Sequence, residues 1–446
     1  MKRYMDAMID DICRLVEIPS VYEQSDNYPF GAAIDRCLDT ALEMMARLGF
    51  RTHKDPEGMY AYAEIGEGPL FGVLGHLDVV NARQEDGWEQ DPFQPVILKD
   101  FLCGRGTQDD KGPMVAAIYA LKSLLDDGYH LNHRVRFVFG ADEEMLWRCM
   151  AAYGRKEETP VCGFTPDSAF PLTYAEKGLL QVRILDAAPS PIAFSGGDSF
   201  NAVSSHAACP WESAMEEAMS ALHHSYQVTD GQLVAKGITA HAKNPWKGVN
   251  ANLNLVQALQ LAGYHSGAID FICDTLVDRF RFEGFTDRDL SDFSGPMTIN
   301  LGKVEASAAG TVLSVDLRLP VSQSKEAILE LLWTKAAAYG LTVEEYDWLR
   351  PIHVPLDQPL VQNLLSAYRE VTGDTVTEPY ISAGATYARA FDNCVAFGAN
   401  LPSSPTSEHQ HNERIPLAGL LQAAEIYRCA FIRTVTTQAQ ATGPNL

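Results

Sequence analysis

Positive charge is scarce in this chain of 446 residues: 35 Lys and Arg stand against 58 Asp and Glu, a net of −23. Such a field repels phosphate, which argues against nucleic acid or an anionic membrane as a partner. Long apolar runs are missing as well. No stretch approaches the ~20 apolar residues needed to cross a bilayer. Met1 to Asp11 alternates charged and apolar residues without the apolar core of a signal peptide. Cysteine is thinly spread, nine residues in an odd count with no Cys-x-x-Cys pair, so reduced thiols in a cytoplasmic protein are expected. Any metal must then be held by oxygen and nitrogen. There is no internal repeat or low-complexity tract, and only the last ~10 residues read as disordered. What remains is an ordinary globular composition, 46% hydrophobic and 21% charged, at a length that suggests two domains.

Apolar periodicity predicts helices over Asp6–Ile18, stopped by Pro19, and over Phe30–Leu48, stopped by Gly49. Strands follow at Tyr60–Ile65, Leu70–Leu74, Val135–Phe139 and Val161–Phe164, with a helix at Met114–Leu125. Strand, polar tip and helix alternate as in an α/β sheet, where ligands sit beyond the carboxyl ends of the strands. The character changes near Gly178. Residues 180–352 mix strands (Leu180–Leu185, Gln232–Gly237, Met297–Val304, Thr311–Leu317) with helices near Pro210–His223, Asn250–Ala262 and Lys325–Tyr339, as expected of a second, α+β domain. The α/β pattern returns from about Val354, with a helix at Leu360–Val371, a strand at Cys394–Phe397 and a helix at Leu417–Thr434. The expected organisation is therefore a first domain made of 1–179 and 353–446, with 180–352 inserted into it.

The chemistry concentrates at the tips of those runs. Gly75-His76-Leu77-Asp78, Gly104-Arg105-Gly106-Thr107-Gln108-Asp109-Asp110-Lys111-Gly112, Gly140-Ala141-Asp142-Glu143-Glu144, Thr165-Pro166-Asp167 and Glu408-His409-Gln410-His411-Asn412-Glu413 each place His, Asp or Glu at a strand end or loop. Two divalent ions roughly 3.5–4 Å apart want one carboxylate bridging both, plus a His and a carboxylate on each. His76, Asp109, Glu143 or Glu144, Asp167 and His409 supply that number. Such nitrogen and oxygen donors suit Zn²⁺ first, with Mn²⁺ or Co²⁺ as alternatives. Asp78, two residues after His76, can orient its imidazole. The Glu143-Glu144 pair suggests one carboxylate for metal and one left free as general base. His130, His133, His223 and His224 lie in polar helix-end or turn contexts and are assigned no function.

In this order the five motifs resemble the dinuclear zinc ArgE/DapE/PepV metallopeptidases, and most of all the PepV-type dipeptidases, also called Xaa-His dipeptidases or carnosinases. The resemblance covers nearly the whole chain. It implies a zinc-peptidase-like catalytic domain, a mixed sheet flanked by helices, with an inserted α+β lid domain. It implies two divalent ions per chain, His76 and Asp167 on one, Glu144 and His409 on the other, Asp109 between them, and a cis peptide at Asp109–Asp110. His409 is preferred over His411 through the match to His-x-x-Asn-Glu. Glu143 would be the general base acting on a metal-bridging water, and Asp78 the orienter of His76. In the lid, His241 would polarise the scissile carbonyl. Asn201, Arg318, Arg389 and Gly384 would lie near the substrate's carboxylate. A lid as long as this one resembles the PepV form that mimics a partner's lid internally, which favours a monomer over a homodimer.

The expected activity is hydrolysis of short peptides, above all dipeptides with a free C-terminal carboxylate. The alternatives are an N-acyl amino acid deacylase of ArgE/DapE type, or a catalytically silent metal-binding interaction protein. Three departures from the family pattern bear on substrate choice. Met145-Leu146 replaces a small Ser-Gly and is expected to crowd a region near the metals. Gly384-Ala385 replaces Gly-Gly, with loss of one freely positive φ. The loop Leu401–Ser407 has no glycine.

Overall fold

The computed structural model describes residues 1–437, so the expected C-terminal disorder falls outside the described residues. The chain divides into two compact units. One comprises Met1–Ala175, His353–Ile381 and Thr386–Leu446; the other comprises Glu176–Ile352 and Ser382–Ala385.

The first unit is built on a mixed sheet. Its successive strands include Arg51–Lys54, Ala61–Ile65, Arg134–Gly140, Leu70–His76, Cys162–Thr165 and Cys394–Ala396. Leu70–His76 runs parallel to both neighbours, Arg134–Gly140 and Cys162–Thr165. It is buried at every position, as expected of a central strand covered on both faces. Because these three strands point the same way, the residues just after each of them come out along one edge of the sheet. That edge carries His76, Glu143-Glu144 and Asp167.

The helix Lys111–Asp126 is apolar nearly all round and almost wholly buried, the mark of a helix with no solvent face. It packs against Leu417–Val435, which also packs against Pro359–Thr372. Rings of Phe71, Phe137, Phe164, Phe397, Tyr427 and Phe431 meet mostly edge to face in this core, a geometry that suits the aromatic quadrupole. The strand Arg414–Pro416 pairs antiparallel with Phe101–Cys103. This pairing brings the loop of His409 to the loop of Asp109.

The second unit is one eight-stranded antiparallel sheet. Its order is Tyr226–Thr229, Gln232–Lys236, His206–Pro210, Phe194–Gly196, Thr298–Ser307, Gly310–Leu319, Gly178–Asp186 and Thr342–Leu349. Leu180, Val182 and Ile184 alternate onto a single apolar core with residues of Ala251–Leu261, Gly267–Thr275 and Lys325–Ala337, the period-two pattern of a sheet with one buried face. The mixed α/β sheet with helices and a second α+β unit is the fold class expected from the sequence.

Candidate metal centre

Asp109 sits in the turn that opens the helix Lys111–Asp126 and is joined to Asp110 by a cis peptide. Its two oxygens face different partners. His76 Nε2 is 2.9 Å from Asp109 Oδ1 and 3.8 Å from Asp167 Oδ2. His409 Nε2 is 3.0 Å from Asp109 Oδ2 and 3.0 Å from Glu144 Oε1. The result is two donor trios, His76–Asp109–Asp167 and Asp109–Glu144–His409, each with donor atoms within 4.8 Å of one another and with one carboxylate in common. His76 is buried, and its Nδ1 lies 2.9 Å from the Asp78 main-chain carbonyl. A proton on Nδ1 leaves the Nε2 lone pair turned into the cluster, as a metal-ligating imidazole requires. Two imidazoles and three carboxylates so arranged fit a pair of divalent ions.

The electrostatics fit the same occupant. Burial pushes Asp167 and Glu143 well above the ordinary carboxylate range; His76 opposes this, and neighbouring carboxylates add to it. Burial works against the imidazolium form of both histidines, but their hydrogen bonds to carboxylates win. His76 is held well above its usual value, and His409 is pushed up to about 11. Asp109, under burial that favours its acid, is nonetheless drawn far below its usual value by those two rings.

A metal ion takes histidine only in its neutral form, so loading this centre must expel protons. Titration of metal-free protein with Zn²⁺ near pH 7 should release protons, that of His409 among them. Protons compete with the ions below the raised histidine values, so affinity should rise as the pH is taken from about 6 to about 8. Calorimetry in buffers of different ionisation heat reads both effects. A proton count of zero would remove the histidines from the ligand set.

A model of Peptidase family M20/M25/M40 matches residues 72–433, a span that contains all five of these residues. The chain belongs to this family. A Staphylococcus haemolyticus protein that carries the name of a dipeptidase is 33% identical over 96% of this chain and 97% of its own. Human carnosine dipeptidase 1 is similar in structure at a TM-score of 0.62 and 15% identity, covering 97% of this chain and 96% of that one. The dipeptidase Dug1p of Saccharomyces cerevisiae is similar at a TM-score of 0.62 and 14% identity, with the same coverage. At such identities the structural likeness is one of fold. The resemblance drawn from the motifs holds at the level of the family.

Several residues of this M20 chain have roles that residue type alone did not reveal. Asp78 faces His76 mainly with its backbone; its carboxylate is 3.7 Å from Nδ1 and instead accepts the Glu144 amide at 3.0 Å. Burial pushes that carboxyl up to about 6. Glu413, fully buried, accepts from Arg105 Nη1 at 2.6 Å and from the amides of Gly106, Gln108 and Asp109. One carboxylate thus organises the backbone of the Asp109 turn. Lys111 is also fully buried and donates to the carbonyls of Leu15 and Ile18 at the end of the first helix. A side chain on Gly75 would run into Met114 and Asp110, so that glycine answers to close packing and not to its backbone angle.

Met145 and Leu146 are 48% and 39% exposed, so the crowding expected of them is absent: the turn after Glu144 points them outward. Neither Gly384 nor Ala385 has a positive φ, and so that pair does not need the freedom of a second glycine. In the second unit the structure brings two distant candidates together. Asn201 accepts the Ala242 amide at 2.8 Å, and Ala202 bridges to His241. Arg318 is buried and gives Nε and Nη2 to Asp316 at 2.6 and 2.9 Å and Nη1 to the Ala383 carbonyl at 2.8 Å, next to Gly384. Arg389 is buried in the first unit, in the short helix Tyr387–Ala390.

Proposed function

We propose that this chain is a metal-dependent dipeptidase of PepV type, cutting short peptides that keep a free C-terminal carboxylate. The observation that supports it most is Asp109 shared between two donor trios. In this reading His76 and Asp167 hold one ion, Glu144 and His409 the other, and Asp109 both, with Zn²⁺ first and Mn²⁺ or Co²⁺ as alternatives. A bound pair of ions supplies a polarised carbonyl and a more acidic water.

Glu143 is the proposed general base. Its carboxylate has no hydrogen-bond partner among the described residues, and burial raises its pKa well above the ordinary carboxylate range, which suits a group that takes a proton and hands it to the leaving amine. Asp78 fixes the His76 ring and the Glu144 amide together. The proposed oxyanion partner is His241. Asn201, Arg318, Arg389 and Gly384 are the candidates for the substrate carboxylate. A guanidinium has five N–H groups, and the three used by Arg318 leave one on each terminal nitrogen, the pair that grips a carboxylate in bidentate fashion. The single eight-stranded sheet of the second unit supports a lid that replaces a partner's within one chain, and with it a monomer. Nine free thiols support the cytoplasm, and no helix among the described residues is long and apolar enough to cross a membrane.

The test is release of free amino acids from a dipeptide panel, with dipeptide amides, tripeptides and N-acyl amino acids alongside. The protein is stripped with chelator and given Zn²⁺, Mn²⁺ or Co²⁺. Metal-restored cleavage confined to dipeptides with a free carboxylate is the expected result. Cleavage of the acylated amino acids alone would make the chain a deacylase.

A further inference from the structure

Four of the five proposed ligands sit on or beside regular structure, but His409 lies in the long loop between Ala399–Asn400 and Arg414–Pro416, with its side chain 54% exposed. Solvent cannot hold that ring in place, so its position depends on how the loop is anchored. The anchor consists of two buried amides. Gln108 Nε2 donates to Asn400 Oδ1 at 2.8 Å and to the Pro405 carbonyl at 2.9 Å. Gln108 Oε1 accepts from the Ser407 amide at 2.7 Å and from its hydroxyl at 2.6 Å. All four hydrogen-bonding positions of this amide are filled, which also settles its orientation, because the flipped group would oppose donor to donor.

Asn400 extends the linkage on both sides. Its Nδ2 donates to the Glu408 carboxylate, and its main-chain carbonyl accepts the Phe170 amide at 2.7 Å, within a short parallel pairing with Ser168–Ala169. Gln108 adjoins Asp109, Glu408 adjoins His409, and the pairing adjoins Asp167. Two amides therefore fasten together the three segments that carry three of the five ligands. We propose that Gln108 and Asn400 are positioning residues that set the place of His409 against Asp109, and so the affinity of the ion held by Asp109, Glu144 and His409. This rests on the dinuclear reading above.

The test is metal binding by full-length, chelator-stripped protein, followed by calorimetry with Zn²⁺ and by the visible spectrum with Co²⁺. Wild type should take two ions, and His409→Ala identifies which binding phase belongs to His409. Asn400→Asp keeps the side-chain shape but loses the donor to Glu408 and sets a second carboxylate against it. It should weaken the His409 phase by about 10–100-fold and leave the other within about threefold. The metal-free variant should keep the far-ultraviolet circular dichroism of the wild type, even where the new carboxylate lowers its melting temperature. Should Asn400→Asp not fold, Gln108→Glu, which loses both donors, must show the same selective loss. Equal weakening of both phases, loss of the wild-type circular dichroism in both variants, or no change in either phase overturns the proposal. Wild type that takes fewer than two ions overturns it together with the dinuclear reading, whereas two wild-type ions with an unaltered variant overturn it alone.

Discussion

Asp109→Asn should cost the protein at least one of its two ions and lower turnover by about 10³-fold or more, since the charge stabilisation supplied by a metal centre is worth several kcal/mol. The reason lies in how the carboxylate is divided. Oδ1 faces His76 and Oδ2 faces His409, so each trio depends on its own oxygen of one residue. An asparagine of the same shape can offer its oxygen to one trio only. To the other it presents an NH₂ group, a donor that repels a cation and cannot ligate it. The substitution also removes one negative charge from a cluster in which two histidines compete for the same residue. Metal content by elemental analysis after dialysis, alongside the turnover of the best dipeptide, measures both effects. Two tightly bound ions in this variant would mean that Asp109 is not shared.

The candidate metal cluster was legible because His76, Glu144 and Asp167 come at the ends of apolar runs that read as strands, Asp109 comes just before an apolar run that reads as a helix, and His409 was reached only through its motif. His76, Glu144 and Asp167 follow strands whose burial wrote itself into Leu, Val and Phe. The supporting residues left no such trace. Glu413 reaches backbone amides some 300 positions away, and a backbone amide is the same whatever side chain it carries. Gln108 and Asn400 are neutral polar residues whose meaning is entirely their mutual geometry. Asp78 was legible as a partner of His76, but its division into a carbonyl for one ligand and a carboxylate for the next depends on a turn that spacing does not encode. The strands Arg51–Lys54 and Thr342–Leu349 were missed for a different reason. Each stands at an end of its sheet order and carries charged or exposed residues, which protect an edge and erase the apolar signal. The helix Lys111–Asp126 begins three residues before its apolar run, at a lysine whose buried ammonium donates to the carbonyls of Leu15 and Ile18.

Glu143→Gln separates a peptidase from a protein that only binds metal. Glutamine keeps the size and the amide oxygen of the glutamate but cannot take a proton at any pH of interest. If Glu143 is the base, turnover should fall by about 10²–10⁴-fold, the usual worth of a positioned proton acceptor. Both ions should stay, because Glu143 belongs to neither donor trio. KM should change little, because the carboxylate is assigned to a proton and not to the substrate. Glu144, one residue on, provides the contrast: its Oε1 lies 3.0 Å from His409, so Glu144→Gln should lower metal affinity first and turnover as a consequence. The two variants differ by one position and should fail in opposite order, which unfolding of the loop could not imitate. Turnover within about tenfold of wild type in Glu143→Gln would take the base away from Glu143. With metal kept saturating at every pH, the acid limb of the wild-type profile should lose only the part that Glu143 contributes in Glu143→Gln, while the part set by protons competing for His76 and His409 stays.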